Sequence, residues 1–134
     1  MPYLANEINL AEEAIENGRL PRASRKTLET LFSNAYQDQY AFIKCDGNSI
    51  FLGSLYTYLG DHNVLLAKEI FWYARKPSKS SVKFFLEFEN WAKQMGAQEI
   101  FIESLANTEK VDSFFMSKGY SKGATIYRKE LNNA

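Results

Sequence analysis

The chain has 134 residues, 46% hydrophobic and 15% aromatic, enough for one compact domain with a substantial core and too few for two comfortable ones. Sixteen basic residues balance sixteen acidic ones, so no overall field draws the protein to nucleic acid or to an anionic membrane. Cys45 is the single cysteine, which excludes an internal disulfide and a cysteine-cluster metal site and fits a reducing compartment.

The opening MPYLANEINLAEEA has neither a basic start nor a continuous apolar segment, unlike a signal peptide, and no run approaches the ~18 apolar residues of a membrane span. A cytoplasmic protein with no membrane partner is expected, organised as a single domain over residues 1–134. In NEINLAEEAIE, Ile8, Leu10, Ala11, Ala14 and Ile15 fall near one helical face, and Gly18 ends the helix. Leu20-Pro21 turns the chain, and SRKTLETLFSNAY repeats the pattern through Leu28, Leu31, Phe32 and Ala35, with Ser24 as N-cap. The period then shortens. YAFIKCD is a strand, Asp46-Gly47-Asn48 a hairpin turn and SIFLGSLYTYL the returning strand, where Gly53 marks a bulge or a close backbone contact. A second turn over Gly60-Asp61-His62-Asn63 leads into VLLAKEIFWYA, whose apolar character predicts a place in the middle of a sheet.

Pro77 closes that strand. A helix from Ser80 or Ser81 to Met95 carries Val82, Phe85, Leu86, Phe88, Trp91 and Ala92 on a wide apolar face, and Gly96 supplies its left-handed cap. QEIFIES follows as a short strand, for which a right-handed crossover to a parallel neighbour is expected. NTEKVDSFFMSKGY is a further helix ending at Gly119, and ATIYRKEL a closing strand. The order α-α-β-β-β-α-β-α-β predicts a mixed α/β layer, mostly antiparallel, with helices covering a central sheet.

Between the strand and the long helix, RKPSKSSVK places Arg75, Lys76, Lys79 and Lys83 together with no acidic residue before Glu87, beside the hydroxyls of Ser78, Ser80 and Ser81. A helix start presents unpaired N–H groups and about half a positive charge, so this segment suits a phosphate. It equally suits a solvated basic turn with a serine N-cap. Strand alternation puts Glu69, Phe71 and Tyr73 on one face. A glutamate partly buried among aromatics has a raised pKa and can act as a general base, whereas one paired with Lys68, Lys44 or a basic residue of the N-terminal helices is a structural carboxylate.

The element order, together with the phrases EIFWYAR, FENWAKQMGAQEIFIES, VDSFFMSKGY and YRKEL, resembles the GNAT acetyltransferase family over Asn6 to Leu131, and most of all the small GNAT-like proteins encoded by phages. The resemblance implies a GNAT-like fold in which the fourth and fifth strands of the family splay apart around acetyl-CoA, with no metal. It implies a pantetheine arm pairing with backbone groups near Trp72, Tyr73 and Ala74, a pyrophosphate on Lys76, Lys79, Ser80, Ser81 and Lys83, and a contact from Asn107. It implies direct attack on the thioester by a primary amine of an unidentified acceptor, with Glu69 as base, and it leaves a homodimer open.

Two departures stand out. The family's loop reads Arg/Gln-x-x-Gly-x-Gly/Ala, and this one has no glycine. Phe115 occupies the place of the tyrosine that protonates the leaving thiolate in the family, which leaves Tyr127, Tyr73 or solvent for that task. A degenerate GNAT-like binding or assembly protein is therefore the alternative to an acetyltransferase. His62 is the only histidine and lies in a polar turn, so no histidine triad or metal site is expected. The aromatic and lysine spacing fits core positions better than a nucleic-acid surface.

Overall fold

The computed structural model describes residues 4–76, 78–103 and 109–123, together with 127, 129 and 131. These divide into two compact units, Met1–Glu103 and Ser104–Ala134.

In the first unit, α1 (Ala5–Glu16) and α2 (Arg25–Gln37) precede β1 (Ala41–Cys45), β2 (Ser49–Tyr58), β3 (Asp61–Ala74), α3 (Lys79–Gln94) and β4 (Glu99–Phe101). The sheet order is β1-β2-β3-β4, antiparallel through the first three strands and parallel between β3 and β4. The long apolar strand thus lies inside the sheet, as its composition predicts. Ser24 caps α2 by accepting from the Thr27 N–H at 3.1 Å. Ser78, two residues before the expected helix start, caps α3 by accepting from the Ser81 N–H at 3.2 Å.

Helices cover both faces. On one, Ile8, Leu10, Ala11 and Ala14 of α1 and Leu28 and Phe32 of α2 pack on Ile50, Leu52 and Phe71. On the other, Phe85 and Phe88 of α3 are fully buried, with the Phe88 ring 4.7 Å from Phe51 and 5.6 Å from Phe42, and Phe85 stacked on Trp72 at 5.3 Å. Each such ring contributes about 1.5–3 kcal/mol through its burial. Gly53 lies beneath this aromatic layer: a β-carbon there would overlap the Phe88 ring. The register also shifts beside it, since Gly53 pairs with Glu69 while Leu52 pairs with Phe71, leaving Ile70 as the extra residue of a bulge. Gly53 therefore marks both features between which the sequence left a choice.

The second hairpin turn differs from its expected place. It falls at Leu59-Gly60, both with positive φ (50° and 77°), and Asp61 already pairs with Tyr58 in the strand. A two-residue turn of this hand matches the twist of the strands and favours Asn-Gly. Leu59 is 88% exposed, so its side chain gains little there while its backbone is strained by roughly 1 kcal/mol. Leu59→Asn is expected to raise the thermal midpoint by a few degrees in a calorimetric scan.

The second unit contains α4 (Glu109–Ser117), closed by Gly119 at φ 89° and by a bond from the Tyr120 N–H to the Phe115 carbonyl at 3.1 Å. The expected closing strand over 124–131 lies largely outside the described residues. Among the described residues no helix is long and apolar enough to cross a membrane.

Candidate functional site

The β3–β4 ladder is short. Leu66, Ala67 and Lys68 pair with Glu99, Ile100 and Phe101, and β3 then continues to Ala74 with no further β4 partner. The two strands part at Lys68. Beyond that point the Arg75 N–H donates to the Asn48 carbonyl at 2.8 Å, across the β2 side. Alternation then directs the backbone groups of Tyr73 and Phe71 toward β2, and those of Trp72 and Ala74 toward the edge that β4 has left. Of the three residues expected to pair with an extended ligand, Trp72 and Ala74 present their backbone to that edge. Tyr73 instead uses its backbone within the sheet, and its hydroxyl accepts from the Asn17 side-chain amide at 3.0 Å.

Glu69 stands where the strands separate. It is 6% exposed, and one carboxylate oxygen accepts the Glu103 N–H at 3.2 Å. Burial, which penalises the charged form, pushes its pKa up to about 8; the nearby Glu103 carboxylate adds to this, while the Glu103 N–H and Lys68 oppose it. Of the basic residues considered as its structural partners, Lys68 pairs with Glu103 at 2.7 Å and Lys44 with Glu87 at 3.9 Å. The bulge corrects one expectation. Glu69 is in register with Gly53 and Phe71 with Leu52, neighbours that project from opposite faces of β2, so Glu69 does not share a face with Phe71 and Tyr73.

The basic segment is also rearranged. Arg75 is committed: its Nε donates to both carboxylate oxygens of Glu13 at 3.0 and 2.9 Å, and its Nη1 to the Gly47 carbonyl at 3.1 Å. Lys83 lies 3.8 Å from Glu87, one helical turn on. The uninterrupted cluster of four thus reduces to Lys76 and Lys79, for which no ion pair is found among the described residues. The serine hydroxyls turn inward rather than outward. Ser81 is buried and accepts from the Trp72 indole N–H at 3.2 Å. Ser80 contacts the Ser78 and Ser49 hydroxyls at 3.0 and 3.4 Å. What remains for an anion is the first-turn N–H groups of α3, at Lys79 and Ser80, and the ammonium groups of Lys76 and Lys79.

Tyr127 is 91% exposed and belongs to the second unit. Asn107 lies outside the described residues. Phe115 lies in α4, its ring 5.3 Å from Phe114 and 5.6 Å from Tyr120. Residues that the sequence did not single out hold the candidate residues in place: Glu13, which holds Arg75; Glu103, whose N–H meets Glu69; and Asn48, which bonds to Lys76. Only Asn48 carried any signal, and that signal was for a turn.

Several solved structures are similar to this chain in fold. An aminoglycoside 6′-N-acetyltransferase from Acinetobacter haemolyticus is similar with a TM-score of 0.63 at 13% identity, over 96% of this chain and 93% of that one. An aminoglycoside N-acetyltransferase in complex with CoA gives 0.64 at 12% identity, over 98% and 90%. A transcriptional regulator from Bacillus halodurans gives 0.71 at 13% identity, over 96% and 93%. No protein-family model and no curated protein matches the chain. The likeness defines the fold: this chain has the mixed α/β fold of GNAT-like acetyltransferases.

Proposed function

We propose that the protein is an acyl-CoA-dependent N-acetyltransferase of GNAT type, acting as one domain over residues 1–134, that transfers acetyl from acetyl-CoA to a primary amine. The observation that carries this reading is the end of the β3–β4 ladder at Lys68, beyond which β3 runs on toward a basic helix start, with a buried Glu69 at the apex. An extended amide-bearing arm fits such an edge as an added strand. Its phosphates fit the first turn of α3 and the Lys76 and Lys79 ammonium groups. The solved relative with CoA belongs to the same fold.

In this reading the amine nitrogen attacks the thioester carbonyl, a C–N bond forms and the C–S bond breaks. Glu69, as carboxylate, takes the proton released by the ammonium, directly or through one water. Glu103 orients it by donating its N–H to one oxygen, which leaves the other for the proton. The thiolate takes a proton from Tyr127 or from solvent. Asn107 is assigned to the cofactor arm on the strength of the family resemblance. Acceptors of the aminoglycoside type, polycationic amines, are the first class to screen, because two solved relatives carry that activity in their names.

The test is thermal stability with and without acetyl-CoA. A ligand at a hundred times its dissociation constant adds ~2.7 kcal/mol, a rise of several degrees for a domain of this size. The rise is expected to shrink sharply in Lys76→Ala/Lys79→Ala, and to weaken with added salt because the charges are exposed. No rise at millimolar acetyl-CoA would overturn the acetyltransferase reading and favour a binding or assembly role for the fold.

A further inference from the structure

Glycine-rich phosphate loops take their sharp path through backbone angles that other residues resist. Here the path from β3 into α3 is held from outside, by the hairpin turn between β1 and β2. The ladder between β2 and β3 ends at Ser49 and Ala74, and the Arg75 N–H continues it by donating to the Asn48 carbonyl at 2.8 Å. A side chain then extends it further. The Asn48 amide donates to the Lys76 carbonyl at 2.9 Å and its oxygen accepts the Lys76 N–H at 3.0 Å, so both backbone groups of one loop residue are matched by a single amide. The same Nδ2 reaches the Ser78 hydroxyl, the cap of α3, at 3.3 Å.

The turn itself is braced. The Asp46 carboxylate accepts the Asn48 and Ser49 N–H groups, each at 2.8 Å, and the Ser49 hydroxyl at 3.3 Å. Burial pushes that carboxyl up, but these N–H groups and the Ser80 and Ser49 hydroxyls outweigh it and hold it below the ordinary carboxylate range, so it stays charged. Arg75 adds its own bond to the Gly47 carbonyl. Every residue from Asp46 to Ser49 therefore contacts either the loop or the residue that contacts it.

We infer that Asn48 is a positioning residue for the phosphate-binding segment, replacing the loop glycines by fixing Lys76 and Ser78 so that the Lys79 and Ser80 N–H groups and the two ammonium groups converge on one phosphate-bearing ligand. This rests on the acetyl-CoA reading. It also assigns the binding chemistry: with the Lys76 N–H already taken, the phosphates are held by helix-end amides and by lysine charge, not by a nest of loop amides.

Titration calorimetry on the full chain, with acetyl-CoA and separately with 3′-phosphoadenosine 5′-diphosphate as probes, tests it. Asn48→Ala removes two backbone-directed bonds and is expected to weaken both probes by about tenfold. Asn48→Asp keeps the acceptor for the Lys76 N–H and loses the donor, and should fall between. Ile8→Val, a mild core deletion under the opposite sheet face, lowers stability without touching the loop and should change neither affinity more than about twofold. If the wild type binds and Asn48→Ala binds equally well, or Ile8→Val weakens binding as much, the inference is overturned while the acetyltransferase reading stands. If the wild type binds neither probe, that reading fails and the inference fails with it.

Discussion

Replacing Glu69 by Gln should stabilise the protein above neutral pH and, under the proposed acetyltransferase function, remove most of the acetyl transfer. The stability half follows from linkage. The folded carboxyl keeps its proton up to about pH 8, whereas an unfolded glutamate releases it near 4.5. Between these values the folded state binds more protons than the unfolded state, so stability falls as pH rises through the window. Each unit of difference is worth about 1.4 kcal/mol, which sets a ceiling of roughly 5 kcal/mol for the cost of burying the carboxylate. Glutamine carries no charge, and its carbonyl can still accept the Glu103 N–H. Thermal midpoints measured at pH 4.5 and 8.5 should be similar for the two proteins at the lower pH and several degrees apart at the higher, with the variant more stable. A difference of the same size at both pH values would show that charge burial is not the cause.

The activity half has the opposite sign. A general base with a pKa of about 8 is mostly protonated at neutral pH, so kcat/KM should rise through pH 8 and level off above it. Glu69→Gln should lower kcat/KM by about 10²–10⁴ and remove that limb of the profile. A residue retained for stability would not show this pattern, because here the substitution that damages turnover improves the fold. A profile that keeps its limb in the variant would assign the titration to the amine acceptor and remove Glu69 from the chemistry.

Gly53→Ala should be the most damaging single-methyl change in the sheet. The added carbon would overlap the Phe88 ring, which is fully buried and hemmed in by Phe51 at 4.7 Å, Phe42 at 5.6 Å and Trp91 at 6.0 Å. With no room for the ring to move, overpacking costs about 3 kcal/mol, a fall of roughly 10 °C in the thermal midpoint. The bulge at Ile70 lies against the same residue pair, so the strain would reach the segment that carries Glu69. Phe88→Leu in the same chain should recover part of the loss, giving a double variant less destabilised than the sum of the two. Strict additivity would show that the ring is not the obstacle.

Much of the fold is legible because each element carries its own periodicity. The apolar stripes of α1, α2 and α3, the apolar run of β3 and the glycines at 96 and 119 all depend on neighbours within a turn or two of sequence. The site is less legible because its decisive contacts are distant. Arg75 looks like a free cation until Glu13, on a helix 62 residues earlier, is brought beside it. Ser81 looks like a hydroxyl offered to a ligand until the Trp72 indole is seen to occupy it. Glu69 and Phe71 look like face-mates because alternation assumes an unbroken ladder, and one extra residue at the bulge reverses the relation. The second hairpin turn falls ahead of the place that turn chemistry predicts for a local reason: Leu59 adopts a conformation that its residue type disfavours, so turn chemistry points to the polar residues after it.

The clamp on Lys76 has a consequence for inheritance. Where glycines shape a loop, the instruction and the structure occupy the same few codons, and a change there is visible as a change of motif. In this protein the instruction for Lys76 is written 28 positions earlier, at Asn48. The loop can therefore drift in sequence, apart from its basic side chains, without losing its course. A single-residue insertion between Asp46 and Ser49 would misdirect it while leaving every letter of the loop intact.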